Sequence, residues 1–272
     1  LQLSGIGAAE HLRDMGIDVV KERAQVGENL QDHIDYVCRY EADSRDFVGD
    51  SLGGLWDSAK SLVQHRINRK GRMTTPYAES GGFWKSSPDV PAPDVQYHFV
   101  PAPLGDHGRE KVKGHGFSCH ACVLRPESRG TVTLGSTNAS DAPLIDPNFL
   151  SHPADMAVLR AGVREMHRIL ETAPMTQYDA VDANDTPLDD DDALDDFIRD
   201  RADSVYHPVG TCRMGSDAEA VVDPQLRFNG IEGLYVADAS VMPRVVSGNT
   251  NAPSIMIGER CADFVAANLQ LR

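Results

Sequence analysis

The order of helical and strand patterns predicts a mixed α/β fold in which an antiparallel sheet is backed by helices. A short helix followed by a brief strand opens the chain, which is typical of α/β structure. Three strand patterns then follow one another with only loops between them, which favours antiparallel pairing. A long amphipathic helix comes after these strands and can cover one face of the sheet.

The N-terminal third begins with a predicted helix over Ala8–Met15, which Gly16 ends, and a predicted strand over Ile17–Val20. The polar stretch 26–33 leads into the apolar and aromatic run 36–40. Apolar residues then recur at helical spacing over 52–67, which predicts an amphipathic helix ending before Gly71.

The middle and the end of the chain give a second set of elements. Strands are predicted over 94–100, 117–124 and 130–135, and helices over 153–172 and 189–198. The Asp run at 189–192 favours a capped, solvated helix start over a calcium loop, because the loop's alternating spacing and central Gly are missing. A buried strand over 233–240 and a buried helix over 252–269 complete the prediction.

Composition excludes two function classes. The net charge of -15 makes nucleic acid an improbable partner, since phosphate binding needs a basic face. No apolar run approaches the roughly 18 residues of a membrane helix. The five cysteines are odd in number and scattered, which favours reduced thiols in the cytoplasm over a disulfide framework. We therefore expect a cytoplasmic protein without a membrane span, and peripheral attachment to a membrane stays open.

The segment Cys119–His120–Ala121–Cys122 has the spacing of a metal-ligand pair. It lies in a predicted strand, however, where the two sulfur atoms would point to opposite faces. The chain has no second pair of this kind, and buried thiols are the better interpretation. We expect no metal site.

Two polar residues near the C-terminus suggest catalysis on an alcohol. His207 lies on a turn bounded by Pro208 and Gly210, and Asn249 precedes the last predicted helix. An imidazole that titrates near neutrality can deprotonate a hydroxyl group, and a carboxamide can donate a hydrogen bond to the alkoxide oxygen.

Several segments, taken in order, resemble the C-terminal half of glucose-methanol-choline (GMC) oxidoreductases, an FAD-dependent family. The chain resembles in particular the branch of choline dehydrogenases and aliphatic alcohol dehydrogenases. The similarity spans nearly the whole chain and rests on segments 3–7, 26–33, 78–83, 124–130, 145–149, 206–215 and 236–262.

The resemblance implies two domains and a missing part. Residues 1–35 and 204–272 would belong to an FAD-binding α/β domain, and residues 36–203 to a substrate-binding domain with an antiparallel sheet. The family's G-x-G-x-x-G fingerprint, which holds the FAD pyrophosphate, does not occur in this chain. We therefore expect that an N-terminal half is missing, and that the chain alone holds FAD poorly and is inactive.

The resemblance also assigns roles to eight residues. His207 and Asn249 match the catalytic pair at the flavin face. Four residues are predicted to contact FAD, the first two at a strand end and the last two at a helix start: Asp238, Ala239, Asn251 and Ala252. Glu79 and His98 are pocket candidates. A turn cap at Asp238 and an ordinary sheet histidine at His98 remain alternatives, and Glu79 does not by itself indicate choline.

The expected reaction is oxidation of a primary alcohol, choline-like or aliphatic, to the aldehyde by hydride transfer to flavin N5. Electrons would then pass to a quinone or to oxygen. Two alternatives remain open: a non-catalytic remnant that binds no FAD, and a hydroxynitrile lyase that keeps the fold without net redox chemistry.

Overall fold

The computed structural model of the protein describes residues 1–105 and 108–269. These residues form two compact units. The first unit comprises Leu1–His33, Leu124–Asp155 and Ser204–Arg272, and the second comprises Ile34–Val123 and Met156–Asp203.

The helices and strands are numbered here in chain order. The first half contains β1 (Ile6–Gly7), α1 (Ala9–Asp14), β2 (Lys21–Glu22), β3 (Ile34–Glu41), α2 (Leu52–Asn68), β4 (Ser80–Trp84), β5 (Val95–Val100) and β6 (Gly116–Val123). The second half contains β7 (Thr131–Thr133), β8 (Leu144–Asp146), α3 (Pro153–Leu170), α4 (Ala173–Thr176), β9 (Val181–Asp182), α5 (Asp191–Arg201), β10 (Asp203–Ser204) and α6 (Asn251–Asn268).

The second unit is built on an antiparallel sheet in which the strands lie in the order β3-β6-β5-β4. Helix α3 packs on one face of this sheet. There the Tyr97 hydroxyl donates to the Gly162 carbonyl over 3.1 Å, and Tyr40 and His167 share a hydrogen bond of 2.8 Å. Phe117 is fully buried in the same layer. The predicted antiparallel sheet backed by helices is confirmed.

Alternation along the strands gives this sheet two chemically different faces. Tyr36, Cys38 and Tyr40 of β3 lie on the α3 side, together with their apolar neighbours on β5 and β6. The residues between them in sequence, including Asp35 on β3 and His120 on β6, lie on the opposite face. The polar face is therefore set by the strand period.

The first unit has its own core and gathers segments that are far apart in sequence. Its buried apolar cluster includes Ile6, Val222 and Val241. Leu30 and Gly130 exchange two backbone hydrogen bonds of 2.9 Å, and these bonds join residues 124–155 to the N-terminal segment. The sequence had grouped residues 124–155 with the middle of the chain.

Three local predictions were wrong. The predicted strand at 17–20 is displaced, because the strand there is β2, which pairs with β1 in parallel. Segment 233–240 forms no regular strand and is partly exposed; only Tyr235 makes an isolated bridge, with Arg227. The last helix is mostly exposed, with only Ile257 and Cys261 buried. Apolar composition alone thus overestimated burial near the C-terminus.

The predicted start of α5 is confirmed, because the Asp190 side chain accepts a hydrogen bond from the Ala193 backbone N–H over 3.1 Å. All five cysteines are buried free thiols. Within the described part of the chain, no cluster of three potential metal ligands was found. No described helix is both long enough and apolar enough to cross a bilayer.

Candidate functional site

The backbone around His207 is held by one carboxylate. Asp32 accepts a hydrogen bond from the His207 backbone N–H over 2.8 Å and another from the Ser204 hydroxyl. The Ser204 oxygen in turn accepts from the Tyr206 backbone N–H over 2.7 Å, and Tyr206 has a left-handed φ of 68°. This network fixes the turn that presents the buried His207 ring.

The ring of His207 contacts a second imidazole, that of His33. The two Nδ1 atoms lie 3.0 Å apart, and the rings meet edge to face with centroids 5.1 Å apart. His33 is fully buried, and its Nε2 atom lies 3.0 Å from the Val246 carbonyl oxygen. His33 is thus bound at both ring nitrogens.

These contacts determine the tautomers of the neutral pair. A carbonyl oxygen only accepts, so His33 Nε2 carries its proton and donates to Val246. The neutral His33 ring then accepts at Nδ1, and His207 Nδ1 is the donor in the bond between the rings. His207 therefore carries its lone pair on Nε2.

The Asn249 side chain agrees with this assignment. Its Nδ2 atom lies 3.3 Å from His207 Nε2 and donates to that lone pair. His207 and Asn249, which were predicted as a catalytic pair, are therefore in contact through the carboxamide and the basic nitrogen of the imidazole. Such a nitrogen can receive a proton, and the charge of the resulting imidazolium can be shared with His33 through the bond between the Nδ1 atoms.

The four residues that were predicted to contact FAD lie in two exposed stretches of the first unit. Asp238 caps a 3-10 helix (Ala239–Val241), and its carboxylate accepts from the Ser240 N–H over 2.8 Å. Asn251 and Ala252 open α6 and are exposed, and the Thr250 side chain does not cap this helix. The start of α6 can thus face an anionic group. The contact that Asp238 makes in the structure is a turn cap.

The two pocket candidates lie in the second unit. Glu79 immediately precedes β4 and is exposed. His98 lies on the polar face of the sheet, and the centroid of its ring is 6.2 Å from that of His120. His120 Nδ1 lies 2.6 Å from an Asp35 carboxylate oxygen. Burial would lower the pKa of His120, but the Asp35 charge and hydrogen bond raise it above the ordinary value.

Four residues of these two clusters escaped the sequence prediction: Asp32, His33, Asp35 and His120. A signal existed for the last two, because a charged residue inside an apolar strand pattern requires a partner. Asp32 and His33 belong to segment 26–33, which was interpreted as a polar connection and as part of the family resemblance, without a role for either residue. Nothing in the sequence indicates which residues they meet.

The chain is similar in sequence to known proteins. Residues 126–258 match the family model for GMC oxidoreductases. An alcohol dehydrogenase [acceptor] of Pseudomonas putida is 43% identical over 272 residues, which are 100% of this chain and 49% of that protein. An oxygen-dependent choline dehydrogenase of Brucella ovis is 40% identical, over 100% of this chain and 50% of that protein. The chain spans about half the length of these curated relatives.

Solved structures give the same family. A formate oxidase variant from Aspergillus oryzae RIB40, studied for its FAD modification, matches 100% of this chain and 52% of its own, with a TM-score of 0.89 and 25% identity. An FAD-dependent oxidoreductase from Chaetomium thermophilum shares the fold, with a TM-score of 0.86 at 24% identity. The chain belongs to the GMC oxidoreductase family.

Proposed function

We propose that the protein takes part in the oxidation of a primary alcohol to the aldehyde, with His207 as the base. The observation that carries this proposal is the set of contacts at the rings of His207 and His33, from which the lone pair of His207 is assigned to Nε2. The relatives named as alcohol and choline dehydrogenases support an alcohol as substrate.

The residues of the chain then act as follows. His207 Nε2 receives the hydroxyl proton as the substrate oxygen gains alkoxide character. The Asn249 amide, which donates to His207 Nε2 before the substrate binds, turns an N–H toward the substrate oxygen and stabilises the negative charge on that oxygen. The Nδ1 proton of His207 stays in the bond to His33, which disperses the new positive charge over two rings.

We propose FAD as the cofactor, and the exposed first turn of α6 fits it. The backbone N–H groups of Asn251 and Ala252 would hold the electron-rich edge of the flavin, since the Thr250 side chain leaves this helix end uncapped. Asp238 and Ala239 would contact the rest of the cofactor. In the structure, the Asp238 carboxylate accepts a hydrogen bond from the Ser240 backbone N–H. When bound, FAD supplies the hydride acceptor for the carbinol carbon.

A division of the chain into an FAD-binding and a substrate-binding part belongs to the same proposal. The segments 1–35 and 204–272 would belong to an FAD-binding domain, which an N-terminal half carrying the dinucleotide fingerprint would complete. The segment 36–203 would bind a choline-like or aliphatic alcohol, with Glu79 and His98 as pocket residues. A quinone or oxygen would take the electrons, and a cytoplasmic location fits this chemistry.

The experiment has two parts. The protein completed by its N-terminal FAD-binding half is first loaded with FAD and assayed for dye reduction that depends on choline or on a series of primary alkanols. Alcohol-dependent reduction is the expected result, whereas cyanide release from a hydroxynitrile without dye reduction would support a lyase instead. Nitrogen-15 NMR of the imidazoles, which needs no cofactor, then tests the base itself. A proton found on Nε2 of the neutral His207 ring would contradict the tautomer on which the proposal rests.

A further inference from the structure

Helix α2 carries its apolar stripe on the outside of the second unit. An amphipathic helix ordinarily turns such a stripe toward the core. In α2, however, Leu52, Trp56 and Ile67 are 89%, 69% and 78% exposed. The other large members of the stripe, Leu55, Leu62 and Val63, are exposed as well. We call these six residues the α2 stripe.

The inner side of α2 is made of small residues. Successive residues of an α-helix are rotated by about 100°, which places the buried Gly54 and Ser61 opposite Trp56 and Val63. A Cβ atom on Gly54 would lie 2.3 Å from the Gly49 carbonyl oxygen, so only glycine permits this close approach. The Ser61 hydroxyl accepts a hydrogen bond of 3.1 Å from the Met73 backbone N–H. These contacts prevent the helix from turning its stripe inward.

Polar contacts at the start and near the middle of the helix hold it in this orientation. Ser51 caps α2 by accepting from the Gly54 N–H over 3.1 Å, and its hydroxyl also bonds His115 Nε2 over 2.6 Å. Near the middle, Asp57 pairs with Arg45 over 2.7 Å. The exposed stripe is therefore a feature of a fixed helix and not of a loose segment.

Cations surround the stripe, although the protein as a whole is acidic. Five basic residues lie in and just after the helix, all of them exposed: Lys60, Arg66, Arg69, Lys70 and Arg72. No Asp or Glu occurs from 58 to 78, in a chain whose net charge is -15. The positive charge is thus concentrated where the apolar side chains are exposed.

We propose that α2 is a membrane-docking helix that lies in the surface of an anionic bilayer. Apolar side chains that include a tryptophan, bordered by Lys and Arg, are the pattern of a helix that inserts its apolar face at the level of the headgroups. The five cations would meet anionic lipid phosphates, and the stripe would enter the boundary with the acyl chains. The proposal does not depend on the chemistry at His207.

Charge favours a bilayer over a second copy of the chain. A symmetric dimer through α2 would place two sets of the same five cations against each other, because a two-fold interface uses the same surface on both partners. Like charges that face each other disfavour association. An anionic lipid surface complements both the apolar stripe and its cationic border.

The two tryptophans of the chain, Trp56 and Trp84, permit a direct test. In the Trp84→Phe protein, Trp56 is the only tryptophan and reports on the stripe. We expect its emission to shift to the blue, and brominated lipids to quench it, when phosphatidylcholine vesicles containing phosphatidylglycerol are added. Binding should weaken at about 1 M salt, where the Debye length is about 3 Å.

Substitutions then separate the two contributions to binding. In the same background, Leu62→Ser with Val63→Ser should weaken vesicle binding by about tenfold or more, since both apolar groups leave the membrane face. Lys60→Glu with Lys70→Glu should weaken binding only to vesicles that contain phosphatidylglycerol. The control is Leu144→Ser, which removes an exposed leucine in the first unit and should leave binding unchanged.

Two results would overturn the proposal. One is blue-shifted Trp56 emission without vesicles together with a dimer in ultracentrifugation, which would mean that a second copy covers the stripe. The other is an unchanged Trp56 spectrum at every vesicle concentration, which would mean that the stripe meets no lipid, whether another part of the protein or nothing covers it. Circular dichroism of each variant shows that the comparison is made between folded proteins.

Discussion

Two histidines of this protein, His207 and His120, show how the partner of an imidazole decides its chemistry. In the first unit, His207 contacts another imidazole, whose second nitrogen is tied to a carbonyl, and its neutral form keeps a lone pair on Nε2. In the second unit, His120 contacts the buried carboxylate of Asp35, which favours the protonated ring. A neutral partner thus leaves a base, whereas an anionic partner favours the protonated form of the ring.

The largest effect is expected at His207. The change His207→Ala removes the proton acceptor, and we expect alcohol-dependent reduction of the FAD-loaded protein to slow by roughly a hundredfold or more. Stopped-flow absorbance of the flavin measures this rate. The matched control is His120→Ala, which removes the carboxylate-bound histidine of the second unit and should have a much smaller effect. Near-normal reduction in His207→Ala would exclude this residue as the base.

A smaller effect is expected when the neutral partner is removed. In His33→Leu, the imidazole that accepts the His207 Nδ1 proton is absent, which removes the contact that favours this tautomer. We expect flavin reduction to slow by about tenfold or more, because only part of the protein then presents a basic Nε2.

A purely structural defect in His33→Leu would slow flavin reduction without changing the tautomer of His207. Nitrogen-15 NMR of His207 should therefore show a mixture of tautomers in His33→Leu, in contrast to one tautomer in the parent protein. His33→Gln retains a side-chain amide oxygen that can accept the Nδ1 proton, and it should recover part of the rate. Identical tautomers in the parent and in His33→Leu would contradict the positioning role of His33.

The same two clusters show what sequence can predict. His207 and Asn249 were found because each lies in a local segment with a family resemblance. His33 meets His207 across 174 residues, and Asp35 meets His120 across 85, and such pairs depend on strand register and on long connections that no local pattern encodes. Strands β5 and β6 were predicted because period and residue type agree there.

The helix α2 shows a different reason for an incomplete prediction. Its spacing predicts an amphipathic helix, and the helix is present, but spacing does not tell which side is buried. The deciding residues are Gly54 and Ser61, whose small size allows the backbone to approach Gly49 and Met73. Close approach is a property of the folded chain, and the apolar stripe turns outward as its consequence.

The pair of His120 and Asp35 can be tested by removing its carboxylate. In Asp35→Asn, the carboxylate that raises the pKa of His120 is absent, while the burial that lowers it remains. We expect the pKa of His120, followed by NMR of its ring protons, to fall from above the ordinary value of about 6.5 to below it. The tautomer of His207 should not change. A pKa of His120 that stays raised would assign the shift to another group.

The smallest effect is a change of stability with pH. Because the pKa of His120 is raised in the folded protein, the stability from its pair with Asp35 is complete below the unfolded pKa of about 6.5 and is lost as pH rises through the raised value. Above that value, the His120 ring is neutral and no longer forms an ion pair with Asp35. Urea unfolding of the parent protein and of Asp35→Asn should therefore show the parent's advantage near pH 6 and its reduction or reversal near pH 9. A difference that stays constant between these pH values would mean that the pair is not an ion pair in solution, and the contrast with the neutral pair at His207 would then disappear.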